Sequence, residues 1–177
     1  MIAFFTFLMT YDPTVADTVR DRAEKHQVFL TERQVVNITS AICRHSEDWD
    51  IEPARIMAVI ENESRWIPDA VGGKDRGLMQ IREITVKEVV RKTDLEHPQN
   101  LSSIESNVLF GTAYLSLLKG RFKVWPLIWT AYNRGPTAVR KDRRPNNYSR
   151  RVRKRYLAIK SSLRRHRLKV LKALSKK

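Results

Sequence analysis

The sequence is poor in the residues that form disulfides and metal sites. It contains one cysteine, Cys43, which excludes an internal disulfide and a paired-thiolate zinc site. Cys43 falls in the apolar run ITSAIC, which predicts a buried structural thiol. The four histidines, His26, His45, His97 and His166, are far apart, and none has a His-Glu-x-x-His spacing. We therefore predict no bound metal, and no motif indicates another cofactor.

A hydrophobic run long enough to span a membrane is also missing, because spanning takes ~20 apolar residues. The apolar run near the N-terminus, residues 2–9, is shorter. No Lys or Arg precedes it, and no Ala-x-Ala-like cleavage site follows it. We expect an N-terminal packing segment, with a secretory signal or a membrane anchor as the alternative.

Acidic residues are nearly absent from the C-terminal part of the chain. Residues 138–177 hold 17 Lys/Arg and one acid, Asp142, a balance of +16 within a formal net charge of +15. The rest of the chain is close to neutral. We predict a basic helix with one apolar stripe that binds an anionic surface: lipid head groups, cell-wall polymers or nucleic acid. A helix that is merely solvated is the alternative.

No segment shows a convincing strand pattern, and the apolar periodicity predicts one helix after another. The length of 177 residues suits one domain with tails. Thr31 is placed to cap one helix, and Pro53 suits the first turn of the next. Gly111, within the apolar stripe of residues 104–118, allows a neighbour to approach closely. Residues 68–81 contain three glycines and predict an irregular loop. The predicted fold class is all-α.

Two common catalytic motifs are absent. The stretch GGKD, residues 72–75, lacks the second glycine before Lys-Ser/Thr and the preceding strand that a phosphate-binding loop needs. No serine lies in a nucleophile elbow. A nucleotide-binding loop of this kind and acyl transfer through a triad are therefore excluded.

The stretch IENESRW, residues 60–66, offers a candidate acid. Glu63 continues the helical stripe of Ile56, Val59 and Ile60, so we expect its carboxyl group at the edge of the buried face. Burial and the negative end of a helix both disfavour the charged form and raise the pKa of a carboxyl group. A raised pKa suits a general acid near neutrality. We expect Glu61 to be more exposed.

Four blocks of the sequence together resemble one enzyme family. The stretch ENESRWIPDAVGGKDRGLMQI resembles the catalytic signature of the soluble lytic transglycosylases, goose-lysozyme-like enzymes that cut peptidoglycan. DIEPARIMAVI resembles the helix that leads into the catalytic Glu, NVLFGTAYLSLLKGRF the central buried helix, and WTAYNRGPTAV the Ala-Tyr-Asn-x-Gly block. NYSRRV also resembles the late Tyr-x-x-x-Val segment. The resemblance implies a lysozyme-like catalytic domain over residues 35–158, an N-terminal helical extension over 1–34 and a basic C-terminal tail over 159–177.

Residue by residue, the resemblance implies one catalytic group and a set of substrate-binding groups. Glu63 is the expected catalytic acid and base. The expected binding residues are Ser64 beside it in the cleft, Met79, Gln80 and Ile81 along the sugar subsites, Tyr132 near the Glu63 carboxyl group, Asn133 in the cleft wall, and Tyr148 closing the cleft from the other side. For Tyr132, a core aromatic with a satisfied hydroxyl is the alternative.

The family's reaction implies that Glu63 protonates the oxygen between N-acetylmuramic acid and N-acetylglucosamine. It then accepts the proton of the muramic acid 6-hydroxyl, which attacks its own anomeric carbon to give a 1,6-anhydro product. The charged residues Lys74, Asp75 and Arg76 depart from the family pattern, which has small residues there. Asp75 is thus a candidate second acid for an inverting hydrolase of the goose-lysozyme type. Pairing of Asp75 with Lys74 or Arg76 is the other interpretation.

Two further expectations concern whether the protein is an enzyme and where it acts. A non-catalytic module that binds through the basic C-terminus is the alternative to an enzyme, although the retained Glu63, Gln80 and Tyr132 favour catalysis. The substrate places the action in the periplasm or cell wall. Because no convincing export signal is present, the resemblance suggests a phage virion component that opens the wall locally, or a secretion-apparatus accessory. A host periplasmic enzyme is the alternative.

Overall fold

The structure, a computed structural model, describes residues 11–175 and confirms the all-α class. The apolar run at residues 2–9 lies outside the described residues. Among those described, no helix has both the length and the apolar character needed to cross a membrane. The elements are α1 (Pro13–Glu24), α2 (Glu32–Asp48), α3 (Pro53–Glu63), β1 (Val71–Gly72), β2 (Asp75–Arg76), α4 (Glu83–Val90), α5 (Ile104–Phe122), α6 (Trp125–Arg134), α7 (Pro136–Lys141) and α8 (Asn147–Leu174).

Short polar side chains and prolines set the starts of the helices. The side chain of Thr31 accepts a hydrogen bond from the backbone N–H of Gln34, and the Gln34 side chain reaches back to Thr31, which forms a capping box. Pro53 occupies the first turn of α3, where a missing N–H costs nothing. Both predictions are confirmed. The side chain of Asn146 caps α8 in the same way, by accepting from the backbone N–H of Ser149.

The helix α3 lies in the core and carries Glu63 at its last position. It packs against α8, α2 and α1, and its residues Ile56, Met57, Val59 and Ile60 are fully buried. Each such side chain stabilises the fold by about 1.5–3 kcal/mol relative to an exposed one. Cys43, on α2, is buried in the same core, as predicted. The end of α3 is therefore held rigidly from several sides.

The expectation that Glu61 is more exposed than Glu63 is wrong. Glu61 is only 2% exposed, and the Arg22 guanidinium of α1 donates to both of its carboxylate oxygens. His26 Nε2 lies 3.4 Å from one of these oxygens, and Arg155 Nε of α8 lies 3.8 Å from it. Burial alone raises the pKa of Glu61, but the hydrogen bonds and the charge of Arg22 outweigh it and lower the pKa. Periodicity placed Glu61 off the main apolar stripe, but α1 covers that side of the helix.

The glycine-containing loop between α3 and α4 is more regular than predicted. It contains a short antiparallel hairpin in which Val71 pairs with Arg76 and Gly72 with Asp75. Each strand has only two residues, too few to show the alternation by which strands are recognised in a sequence. The hairpin brings Asp75 back toward the end of α3.

The basic helix α8 is continuous from Asn147 to Leu174 and crosses residue 159, where the sequence suggested that a tail begins. Val152 and Ile159 are buried, and His166 Nε2 lies 2.9 Å from Asp21 Oδ2 of α1. Beyond His166, residues 167–174 are all exposed. The helix therefore packs for most of its length and projects from the fold over its last two turns.

The close approach predicted at Gly111 occurs in the structure. A Cβ atom added at Gly111 would lie within 3.0 Å of three side-chain atoms of Met79, which is fully buried. At Gly120, farther along the same helix, an added Cβ would meet nothing within 4 Å. Gly120 therefore offers a control on the same helix for a substitution at Gly111.

We expect Gly111→Ala to lower the free energy of unfolding by about 1–3 kcal/mol, because the methyl group overpacks the core against Met79. Gly120→Ala should raise it by up to about 1 kcal/mol, because alanine loses less backbone entropy in a helix. Urea denaturation of both variants and the wild type measures the difference. Equal stability of the two variants would contradict the packing described.

Candidate active site

A cleft of about 320 Å³ opens at the C-terminal end of α3. Its walls come from the hairpin, from the loop before α4, from α4 itself and from the end of α6 with the start of α7. The cleft brings together residues that are far apart in sequence. Six of the residues predicted from the sequence line it: Glu63, Asp75, Gln80, Ile81, Tyr132 and Asn133.

Glu63 lines this cleft with its half-buried carboxyl group. Its pKa is raised from 4.5 to about 7, mainly by burial and further by the negative charge of Asp75. A hydrogen bond from Tyr148 and the positive charges of Arg151 and Arg82 act in the opposite direction. Glu63 also ends α3, where the helix dipole disfavours a negative charge. A carboxyl group with a pKa near 7 is partly protonated at neutral pH and can both give and accept a proton.

Tyr148 contacts Glu63 directly. Its hydroxyl donates a hydrogen bond to Glu63 Oε1. Tyr148 is only 4% exposed, and its burial and the nearby Glu63 charge raise its pKa well above 10. It therefore remains a neutral donor near neutral pH. The resemblance implied that Tyr148 closes the cleft from the other side, but its side chain is not part of the cleft lining. It reaches the site through its contact with Glu63.

Asp75 lies in the cleft with Glu63, but its ion-pair partner differs from the expectation. Arg82 Nε pairs with Asp75 Oδ1, and Arg82 Nη2 donates to Asp75 Oδ2 at 3.1 Å. Arg76 donates to the backbone carbonyl of Asp75 at 2.9 Å and not to its carboxylate, and no ion pair joins Asp75 to Lys74 among the described residues. The fold places Arg82, seven positions later in the chain, opposite Asp75 in a forked pair that occupies both carboxylate oxygens.

Asn107 holds the loop that forms one side of the cleft, although it is not among the residues predicted from the sequence. It is fully buried on α5. Its Oδ1 accepts from the backbone N–H of Met79 at 2.7 Å, and its Nδ2 donates to the carbonyls of Arg76 and Leu101 at 2.7 and 3.0 Å. The sequence does contain a signal for this role, because Asn107 is a polar residue on the buried stripe of a helix. A buried polar group needs hydrogen-bond partners.

Gln80 and Tyr132 complete the same wall. Gln80 has a positive φ of 48°, and its Nε2 donates to the carbonyls of Ala70 and Gly77 at 2.9 and 2.8 Å. The Tyr132 hydroxyl donates to the carbonyl of Met79 at 2.9 Å. Burial raises the pKa of Tyr132 well above 10, and the nearby Glu63 charge adds to the rise. The two side chains therefore brace the loop while they face the cleft.

Two of the predicted binding side chains are turned away from the cleft. Ser64, which follows the last residue of α3, is 4% exposed, and its Oγ donates to the carbonyl of Ile60 in the last turn of that helix at 3.1 Å. Met79 is fully buried against α5 and presents only its backbone to Tyr132. The resemblance to the family implied cleft positions for both. The chain direction at the end of a helix and in a tight loop places them in the interior instead.

The cleft wall formed by α4 was not predicted. Arg82, Ile84, Thr85 and Glu88 line the cleft from this helix and its N-terminal cap, and Tyr114 joins them from α5. The helix α4 has only eight residues, so its apolar pattern is short. Within residues 11–175, no group of three or more His, Cys, Asp or Glu side chains is placed to hold a metal ion.

Replacement of Tyr148 by Phe should raise the pKa of Glu63 above its value of about 7. The hydroxyl stabilises the ionised form by hydrogen bonding, so its loss disfavours ionisation by about one pKa unit or more. Carbon-13 NMR titration of labelled glutamate measures this shift, and Glu63→Gln assigns the signal. Tyr132→Phe is the matched control, because its hydroxyl bonds to Met79 and not to Glu63. An unchanged pKa in Tyr148→Phe would contradict this arrangement.

Comparison with known proteins agrees with this geometry. The family model for the transglycosylase SLT domain matches residues 40–154. A Haemophilus influenzae protein with the provisional name soluble lytic murein transglycosylase is 34% identical over 99 residues, which are 54% of this chain and 17% of that protein.

A solved structure shares the fold. The X-ray structure of an inactive mutant of the lytic transglycosylase Slt from Pseudomonas aeruginosa is similar with a TM-score of 0.62 at 22% identity, over 87% of this chain and 38% of that one. This chain thus corresponds to a small part of each longer relative. Because the family model covers most of the described residues and the fold agrees, the chain belongs to the transglycosylase SLT domain family.

Proposed function

We propose that this chain is a peptidoglycan lytic transglycosylase. It cleaves the β-1,4 bond between N-acetylmuramic acid and N-acetylglucosamine and leaves a 1,6-anhydro end on the muramic acid. The observation that carries this proposal is the carboxyl group of Glu63, which lies in an open cleft and has a pKa of about 7. Membership of the SLT family supports the same activity.

In the first step Glu63 acts as the general acid. The hydroxyl of Tyr148 donates to Oε1, so the proton of the neutral carboxyl group belongs on Oε2, where it can be offered to the substrate. Transfer of this proton to the glycosidic oxygen breaks the bond to the muramic acid C1 and releases N-acetylglucosamine as the leaving alcohol. Positive charge then develops on C1 and the ring oxygen.

In the second step the Glu63 carboxylate acts as the base. It accepts the proton of the muramic acid 6-hydroxyl while that oxygen bonds to C1, and this restores the neutral acid. No water is consumed. Because nucleophile and electrophile belong to one sugar, the reaction gains the high effective concentration of an intramolecular step. One carboxyl group with a pKa near neutrality is sufficient for both proton transfers.

Asp75 is better suited to support Glu63 than to activate water. Both of its oxygens are already engaged in hydrogen bonds with Arg82. Its charge contributes to the raised pKa of Glu63 and so helps to keep the acid protonated. An inverting hydrolase that uses Asp75 as base is the alternative mechanism.

Mass spectrometry of the fragments released from purified peptidoglycan at neutral pH tests this proposal. The wild type should release muropeptides with 1,6-anhydro ends, and Glu63→Gln should release none, because it can neither donate nor accept the proton. Asp75→Asn should still give anhydro ends, at a rate lowered by the change in the Glu63 pKa. Loss of a general acid–base group, as in Glu63→Gln, typically lowers the rate by about 10²–10⁴-fold.

Two outcomes would overturn parts of this account. Reducing ends from the wild type, abolished in Asp75→Asn, would establish the hydrolase. Release of nothing by the folded wild type would remove the enzyme proposal and leave the binding module. Action in the periplasm or cell wall follows from the substrate, and association with a virion or a secretion apparatus stays a prediction.

A second, independent proposal concerns the projecting end of α8, which we assign to an anionic lipid surface. Residues 167–174 are all exposed and contain no acidic residue. Exposed leucines interleaved with cations suit the boundary of head groups and acyl chains, whereas nucleic acid binding would need the cations alone. The cations are Arg167, Lys169 and Lys172, and the apolar residues are Leu168, Val170, Leu171 and Leu174.

Sedimentation of the full chain with vesicles tests this assignment. Vesicles with anionic lipid should bind it, vesicles of zwitterionic lipid alone should not, and replacement of all three cations by Gln should weaken binding about 100-fold at low salt, at about 1 kcal/mol per cation. Replacement of Leu168 and Leu171 by Ser should weaken it as well. Equal binding of a DNA duplex by the wild type and by the serine variant, without vesicle binding, would point to nucleic acid instead.

A further inference from the structure

The cleft that contains Glu63 continues into a larger basic groove. The groove has a volume of about 660 Å³ and shares Ile84, Glu88 and Pro136 with the cleft. Its walls are α4, the C-terminal end of α5 and the start of α7. A substrate lying in the cleft can therefore extend into the groove without leaving the surface.

Five cationic side chains and one carboxylate line this groove. Glu88 Oε1 pairs with Arg121 Nη2 at 2.7 Å, and one of the cations, Lys87, lies 4.0 Å from Glu83, outside the groove. The net charge of the groove lining is strongly positive. The remaining three cations make no ion pair with any described residue: Arg91, Lys92 and Arg140.

Uncharged sugars do not account for this concentration of charge. The glycan backbone of peptidoglycan is bound through hydroxyl and N-acetyl groups, which need hydrogen-bonding partners and not cations. The muramic acid residues carry short peptides with free carboxylates. Guanidinium groups bind carboxylates in a bidentate manner, and exposed lysines add long-range attraction.

We propose that this groove binds the carboxylates of the peptides attached to muramic acid and so makes the enzyme prefer glycan that still carries them. This inference rests on the proposed function, since the cleft must hold the glycan. The bond that is cut lies at C1 of a muramic acid, and the peptide is attached to the same kind of sugar. A peptide near the scissile bond is therefore within reach of a groove that adjoins the cleft.

The test is a binding measurement that does not depend on turnover. Soluble glycan strands from a wall without phosphate-bearing polymers are prepared in three forms: with peptides intact, with the peptide carboxylates amidated, and with the peptides removed by an amidase. Affinity is measured by calorimetry for the full chain carrying Glu63→Gln, which cannot turn the substrate over. The ratio of affinities for intact and peptide-free strands is the quantity of interest.

Intact strands should bind more tightly than either modified form, and the preference should shrink as salt rises. Adding Arg91→Gln and Arg140→Gln should reduce this ratio by roughly three- to thirtyfold, as expected for two exposed ion pairs. Lys25→Gln with Arg33→Gln is the matched control, because both are exposed cations that line neither the cleft nor the groove. The control pair should leave the ratio unchanged.

Three outcomes would overturn the proposal: equal binding of intact and amidated strands, an equal loss for all strands in the groove variant, or the same loss in the control pair. The proposed function fails separately, if the wild type releases no fragments from any strand. Cleavage of peptide-free strands by the wild type, together with no preference for peptides, would retain the enzyme and reject the groove.

Discussion

The buried ion pair between Glu61 and Arg22 is the interaction on which the rest of the site depends. It joins α1 to the last turn of α3, and Arg155 of α8 lies on the same carboxylate at 3.8 Å. A buried charge is tolerated only when it is paired and well hydrogen-bonded, and removal of one partner costs about 3–5 kcal/mol. Three helices that are remote in sequence are therefore held in register by one carboxylate, two residues before Glu63.

The two glutamates at the end of α3 show how environment alone separates chemically identical groups. Glu61 faces a guanidinium, which lowers its pKa despite burial. Glu63 lies on another side of the helix, where burial prevails over a tyrosine hydroxyl and more distant cations, and its pKa rises to about 7. One carboxylate is thus fixed as a structural anion, and its neighbour is poised for proton transfer. The anion stabilises the helix on which the acid depends.

Local signals in the sequence were sufficient for the helices and for placing Glu63 at the edge of the buried face, whereas its role as the acid was suggested by the resemblance to the family. Periodicity, capping residues and the position of Glu63 on an apolar stripe depend on residues within a few turns of one another. Contacts between distant segments could not be predicted in that way. The burial of Glu61 depends on α1, the partner of Asp75 depends on the start of α4, and the role of Asn107 depends on a loop about thirty positions earlier. Each needs the packed fold to be recognised.

The segments outside the family match also support the site. The match covers residues 40–154, yet Arg22 lies before it, and Arg155 and His166 lie after it. His166 pairs with Asp21 of α1, so α1 and the later turns of α8 are packed against each other. The first turn of α8 carries Tyr148, whose hydroxyl contacts Glu63. Because α8 is one continuous helix, contacts made by its later turns help to fix that hydroxyl, and with it the pKa of Glu63.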